Sequence, residues 1–256
     1  MTFPDNISNR ESYILDQIKI GNFELNWKSI NYTEKDNTIT IDVQTDALKI
    51  DGIRINVSAS LSQKIADMTG AMLLTPKIAD IIYLNSDFKI GPNPRPITLS
   101  TQAMIEHSKK IDNALNKFID KKPTEDSIID TVGKYWCISN KLQGSKTKAL
   151  NYGWHFEGSS YQGISGFKCA SGMPYKVIQP AATAHDYNHV DYSQIHRAVA
   201  EVCKINGEQK LLKDVLTDPK LAYLVSHEGP LNVIRQPSVQ EQSEKIIFMP
   251  AIKITI

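Results

Sequence analysis

The sequence predicts an α+β fold: a helix-rich N-terminal part packed with a mainly antiparallel sheet in the C-terminal half. Apolar residues at helical spacing concentrate before residue 121, and alternating apolar–polar runs dominate after it. The regular strand–helix–strand alternation of a parallel sheet is missing. We expect one integrated domain, 1–256, with the polar break Lys121 to Asp126 suited to a subdomain hinge.

Residues 10 to 20 place Ile14, Leu15 and Ile18 on one helical side, and Gly21-Asn22 stops that helix. Thr38 to Val43 alternates and reads as a strand. Asp51-Gly52, followed by Ile53-Arg54-Ile55, reads as a hairpin turn and its return strand. A short helix runs from Ser62 to Gly70. Thr75-Pro76 opens another, with threonine as N-cap and proline at the first position, where its missing N–H costs nothing. Gly91 to Pro96 carries three prolines and is a rigid extended connector. Ser100 to Asp120 is the longest helix expected, with Met104, Ile105, Ile111, Leu115 and Phe118 on its buried face.

After the break, Lys134 to Ser139 and Asn151 to Glu157 read as strands. The segment 158–172 is glycine- and serine-rich and loop-like; a long loop in a compact domain marks a site more often than filler. Asn206-Gly207 is a second hairpin turn. Leu211 to Leu216 and Pro219 to Glu228 read as short helices, and Ile246 to Ile256 as a closing strand, kept to an edge or bulge by Pro250.

Apolar residues make up 41% of the chain and charged residues 22%, the ordinary balance of a soluble globular protein. Twenty-nine basic residues against twenty-eight acidic ones give no electrostatic case for nucleic acid and no polybasic membrane face. No apolar run approaches the length of a membrane span, and the polar first thirty residues do not read as a secretory signal. Cys137, Cys169 and Cys203 lack CxxC spacing, so a zinc ribbon and a thioredoxin-like motif are both excluded. Three reduced, mostly buried thiols are expected.

Histidine carries the best pointer to chemistry. His185, His189 and His196 fall within twelve residues, and imidazole is both the neutral-pH acid–base group and the commonest metal ligand. On a helix these three would share a face. Tyr187, Val190 and Tyr192 favour extended or irregular backbone, which puts His185, His189 and Asp191 together and His196 apart. Two imidazoles and a carboxylate suit zinc or another divalent metal, with Glu157 or Glu228 as general base. A polar loop whose histidines only hydrogen-bond is the plainer reading of the same residues. HxxxH here lacks the zincin glutamate. Ser193 beside His185 or His189, and Cys169 beside Lys168, are candidate nucleophiles without the flanking motifs of known families. His227 in a last helical turn is explained by the helix dipole, whereas Glu228 is not, which points to another task such as pairing with Arg235.

Trp154-His155-Phe156-Glu157 resembles the tryptophan–histidine pair near the zinc of D-alanyl-D-alanine carboxypeptidases, although the SxHxxGxAxD motif of that family is absent. A longer resemblance runs along nearly the whole chain. Arg10-Glu11, Gly21-Asn22, Leu74-Thr75-Pro76, Tyr152-Gly153-Trp154-His155, His185, Asp191-Tyr192-Ser193 and Ser226-His227-Glu228-Gly229 resemble, in order, a group of uncharacterised and often exported bacterial proteins with no known activity. Where that group tends to read DYSHG, this chain has Gln194. The resemblance implies one integrated unit and brings His155, His185, Asp191, Tyr192, Ser193 and Glu228 forward, with His189 less needed.

The expectation is therefore a hydrolase acting on a peptide or polar polymer, related to the cell envelope. Its catalytic residues would be His155, His185, Asp191, Ser193 and Glu228. Trp154, Tyr192 and Arg235 would bind substrate, and His155, His185, His189 and Asp191 would hold any metal. The partner would be a small molecule, peptide or glycan. The alternative is a non-enzymatic module that binds a ligand through segment 152–175.

Overall fold

A computed structural model describes residues 3–169, 172–237 and 239–240. The closing strand expected at Ile246 to Ile256 lies outside the described residues.

Four helices precede residue 116: α1 (Ile7–Lys19), α2 (Ala59–Met68), α3 (Pro76–Leu84) and α4 (Thr101–Leu115). Each begins with a side chain that accepts a backbone N–H: Asn6, Ser58, Thr75 and Ser100. A short α5 (Leu212–Thr217) follows much later. The Pro219 to Glu228 stretch contains only a 3-10 turn at Ala222–Leu224.

Two five-stranded sheets form the frame. The first has the order β1 (Trp27–Glu34), β2 (Asn37–Gln44), β8 (Ala198–Ile205), β9 (Glu208–Leu211), and β3 (Ala71–Leu73) also pairs with β8. The second runs from the two-residue strand Phe167–Lys168 through β6 (Lys176–Asp186), β5 (Lys148–Phe156) and β4 (Lys134–Cys137) to β7 (Gln194–Ile195). All neighbours in both are antiparallel except β7 and β4.

The mixed α+β class agrees with the sequence, but the expected division into a helical half and a sheet half does not hold. β1, β2 and β3 come from the N-terminal half and are completed by β8 from the C-terminal half. β1 escapes sequence reading because its outer face is Ser29, Asn31 and Thr33 and its inner face mixes Lys28 and Glu34 with Ile30 and Tyr32, which gives weak apolar alternation. Both expected hairpin turns form: Asp51-Gly52 and Asn206-Gly207 each have two consecutive positive φ values. A large core cluster runs between the sheets and α3, from Ile39, Ile41 and Val43 through Ile78, Ile81 and Ile82 to Tyr135, Tyr152 and Val199. A second lies among α1, α2 and Trp136. No helix among the described residues is long and apolar enough to cross a membrane.

The β4–β7 junction is tight. A Cβ on Gly133 would sit 2.7 Å from the Ser193 carbonyl oxygen and 2.9 Å from the Ile195 side chain. That carbonyl accepts the Lys134 N–H at 2.8 Å. Gly133→Ala is expected to lower stability by about 1–3 kcal/mol, the range for overpacking. Urea unfolding reads this directly, and an unchanged midpoint would show that the junction yields freely.

Candidate functional site

Helix α3 opens on Thr75, whose hydroxyl accepts the Ile78 N–H at 3.1 Å and donates to the Val225 carbonyl. One capping residue thus starts the helix and ties down the segment two residues before His227. One turn into α3, Asp80 points into the protein and is 1% exposed.

Strand β5 brings two partners to that carboxylate. Tyr152 and His155 are three apart, so regular pleating would put them on opposite faces. Gly153 and Trp154 interrupt the pleat with φ of +130° and +60°. A positive φ is uncommon for a residue other than glycine and tends to cluster at functional sites. As a result Tyr152 Oη donates to Asp80 Oδ1 at 2.6 Å, and His155 Nε2 lies 2.7 Å from the same oxygen. Trp154 packs elsewhere, with Ala103 and Tyr192.

Asp80 Oδ2 lies 3.2 Å from His227 Nε2. Cys169, from the segment after Phe167–Lys168, completes the group: its sulfur, a His155 nitrogen and an Asp80 oxygen lie within 4.8 Å of one another. Tyr83, one turn beyond Asp80, stacks on the His155 ring with centroids 4.9 Å apart. Tyr175 meets Tyr83 edge-on.

Burial alone would raise the Asp80 pKa. The hydrogen bonds from His155, His227 and Tyr152 and the field of His155 outweigh it and hold the carboxyl well below the usual range. The Cys169 thiol goes the other way: burial, then the charge of Asp80, pushes it up to about 12. It is a protonated thiol at neutral pH, which removes it as a free thiolate nucleophile. Asp80, His155, Tyr152 and Cys169 are buried, whereas the His227 side chain is 18% exposed. Of these five side chains, His227 is the one in partial contact with solvent.

The other expected site residues lie elsewhere. His185 pairs in register with Ala149, six residues along β5 from His155, or about 20 Å at strand rise. Its ring stacks on His189 at 4.3 Å and meets Trp136 edge-on. Burial, then the neighbouring charges of His189 and Lys134, lowers the His185 pKa. Asp191 is engaged by Lys134 Nζ at 3.0 Å and by the Ser193 hydroxyl at 2.6 Å and N–H at 2.8 Å. Those contacts make it the cap of a buried turn. Ser193 is fully buried and gives its hydroxyl proton to Asp191, so it is not set up against an imidazole. Tyr192 Oη is fixed by the backbone of Arg95, accepting its N–H and donating to its carbonyl. The expected metal set of His155, His185, His189 and Asp191 is therefore not assembled.

Glu228 accepts the Asn140 N–H at 3.0 Å, and Arg235 pairs with Asp67 at 3.0 Å rather than with Glu228. Of the expected catalytic residues, His155 alone belongs to the Asp80 group. Sequence reading missed Asp80 because it looks like an ordinary polar residue in an apolar helix. The available signal was its position: Asp80 and Tyr83 stand one turn apart on a helix whose only other charged residue is Lys77 in its first turn.

No protein-family model matches this chain, and no curated protein or solved structure shows significant similarity to it.

Proposed function

We propose that the protein is a hydrolase of peptides or polar polymers, related to the cell envelope, with its centre at Asp80, His155 and His227. One observation carries this: a buried carboxylate is bracketed by two imidazoles, of which His227 alone reaches solvent. A carboxylate on one ring nitrogen fixes the orientation of an imidazole and stabilises its protonated form, which is the arrangement that lets it take a proton from water. In this mechanism Asp80 orients His227, and His155 and Tyr152 hold Asp80. His227 removes the proton of an attacking water.

The rim beside His227 is polar. Asn140 takes Glu228 on its N–H, the Pro230 carbonyl on its amide nitrogen and the Asn232 N–H on its amide oxygen. Such a rim favours a polar substrate. The resemblance to often exported bacterial proteins supports the envelope assignment.

The test is product analysis by mass spectrometry, with the full chain incubated with defined peptides, peptidoglycan fragments and oligosaccharides. Cleavage of one class is expected, with His227→Gln slower by about 10²–10⁴-fold, the contribution of a positioned base. Intact substrates throughout would defeat the hydrolase reading.

The second reading, a ligand-binding module, is favoured by a different observation. Phe167 and Ile164 are exposed on segment 158–175, and Tyr161 and Gln162 line a cleft of about 260 Å³ with Gly91, Asn93 and Lys110. A binding module would keep its ligand affinity in His227→Gln.

A further inference from the structure

We propose that Asp80, His155 and Cys169 form a binding site for a zinc-class divalent cation, with His227 beside its open side. The proposal rests on reading the Asp80 group as the functional centre, and it names what that centre holds.

The three ligand atoms come from α3, β5 and the segment after Phe167–Lys168, and they lie within 4.8 Å of one another in a buried spot. Zinc bonds of about 2.0–2.3 Å in a tetrahedron put ligand atoms roughly 3.3–3.7 Å apart. The adjustment needed is therefore on the order of 1 Å, the kind that side-chain torsions supply. A carboxylate, an imidazole and a thiolate form a donor set of mixed softness. It suits zinc, and it disfavours magnesium and calcium, which take oxygen ligands.

Catalytic zinc keeps three protein ligands and one open position. The partly exposed His227, with Nε2 at 3.2 Å from Asp80 Oδ2, stands where that position would face solvent. His155 is fully buried and presents Nε2 to Asp80, so the imidazole is already aimed into the group.

The Cys169 thiol already shares hydrogen bonds with Asp80 and Tyr152, and a coordinating cation would deprotonate it outright and reverse the local electrostatics. On binding, Cys169 gives its thiol proton to solvent and forms the metal–sulfur bond. The proton on His155 Nε2 moves to Nδ1 as Nε2 takes the metal, and Asp80 exchanges its hydrogen bond from His155 for a metal–oxygen bond. No group changes oxidation state.

Titration of the untagged full chain with Co²⁺, then Zn²⁺, tests the site without any need for turnover. One equivalent should bind, with a near-ultraviolet thiolate-to-cobalt absorption band that Zn²⁺ abolishes. Cys169→Ser should lose the band, and Cys203→Ser should keep it. His227→Gln should weaken binding by about 10-fold or more, as loss of an outer partner does. Uptake well below one equivalent, or a cobalt spectrum without the thiolate band, overturns the proposal. If Cys169→Ser does not fold, the wild-type spectrum and Cys203→Ser still decide. Hydrolysis that persists after chelation removes the metal and leaves the hydrolase standing; stoichiometric metal without hydrolysis does the reverse.

Discussion

Asp80→Asn is expected to lower the unfolding free energy by about 3–5 kcal/mol, the order expected when a buried carboxylate loses two of its charge-assisted hydrogen bonds. The substitution keeps the shape, so the loss comes from charge and hydrogen bonding. The carboxylate takes Tyr152 and His155 on one oxygen and His227 on the other, all within 3.2 Å. Hydrogen bonds to a charged group contribute about 1.5–3 kcal/mol each, against about 1 kcal/mol for neutral ones. An amide nitrogen in place of Oδ2 or Oδ1 also sets a donor against a donor. Because these residues come from α3, β5 and the 225–228 segment, the variant should loosen that corner first. Urea unfolding followed by circular dichroism gives the number. A loss below about 1 kcal/mol would mean that the carboxylate is not the hub that its contacts describe.

Stability should also fall steeply between pH 6.5 and pH 4, before most carboxylates titrate. Burial pushes His196 down to about 3, and burial pushes His107 down to about 4. The hydrogen bond of His107 to the Val132 carbonyl and the field of Asp191 oppose this, while Arg54 and Arg95 add to it. His196 shows why its neutral form is required. Its Nε2 faces the Gln44 amide nitrogen at 3.3 Å, and its Nδ1 lies 2.8 Å from the Ser62 hydroxyl. A donor amide on Nε2 leaves no room for a second proton.

The sign follows from the depressed values. The unfolded chain, with imidazoles near 6.5, binds these protons first, so the contribution is complete above 6.5 and is lost as pH falls toward 3 to 4. The two groups together should cost roughly 4–5 kcal/mol between pH 7 and pH 4.5. Asp46 and Asp191, whose carboxyls are held low despite burial by Arg54 and Lys134 respectively, add their losses only below about 3.8. Chemical denaturation at half-unit pH steps separates the two windows. Constant stability from pH 7 to 4.5 would rule out neutral burial of both histidines.

Local chemistry was the legible part of the fold. Thr75-Pro76 and Ser100 start the helices they were expected to start, and the Asp-Gly and Asn-Gly turns form their hairpins, because caps and turns act over three or four residues. Sheet membership was not legible. β2 and β8 pair across some 160 residues, and no local pattern encodes that choice. The site followed the same rule. His155 was found because its Trp-His context stands out. Asp80, 75 residues earlier, was not, because its partners are set by the pleat break at Gly153 and Trp154. The conspicuous run from His185 to His196 was divided by its backbone. His185 ends β6, Asp191 caps a turn and His196 is sealed in the core, so nearness in sequence did not become one surface.

We place the chemistry at the Asp80 group and not in the 185–196 run. A side-by-side turnover measurement of His227→Gln and His185→Gln, on whichever substrate the wild type cleaves, tests it most directly. His227→Gln is expected to lose about 10²-fold or more, with melting behaviour close to wild type, and His185→Gln to keep near-normal turnover. Loss of turnover in His185→Gln with retention in His227→Gln would contradict it.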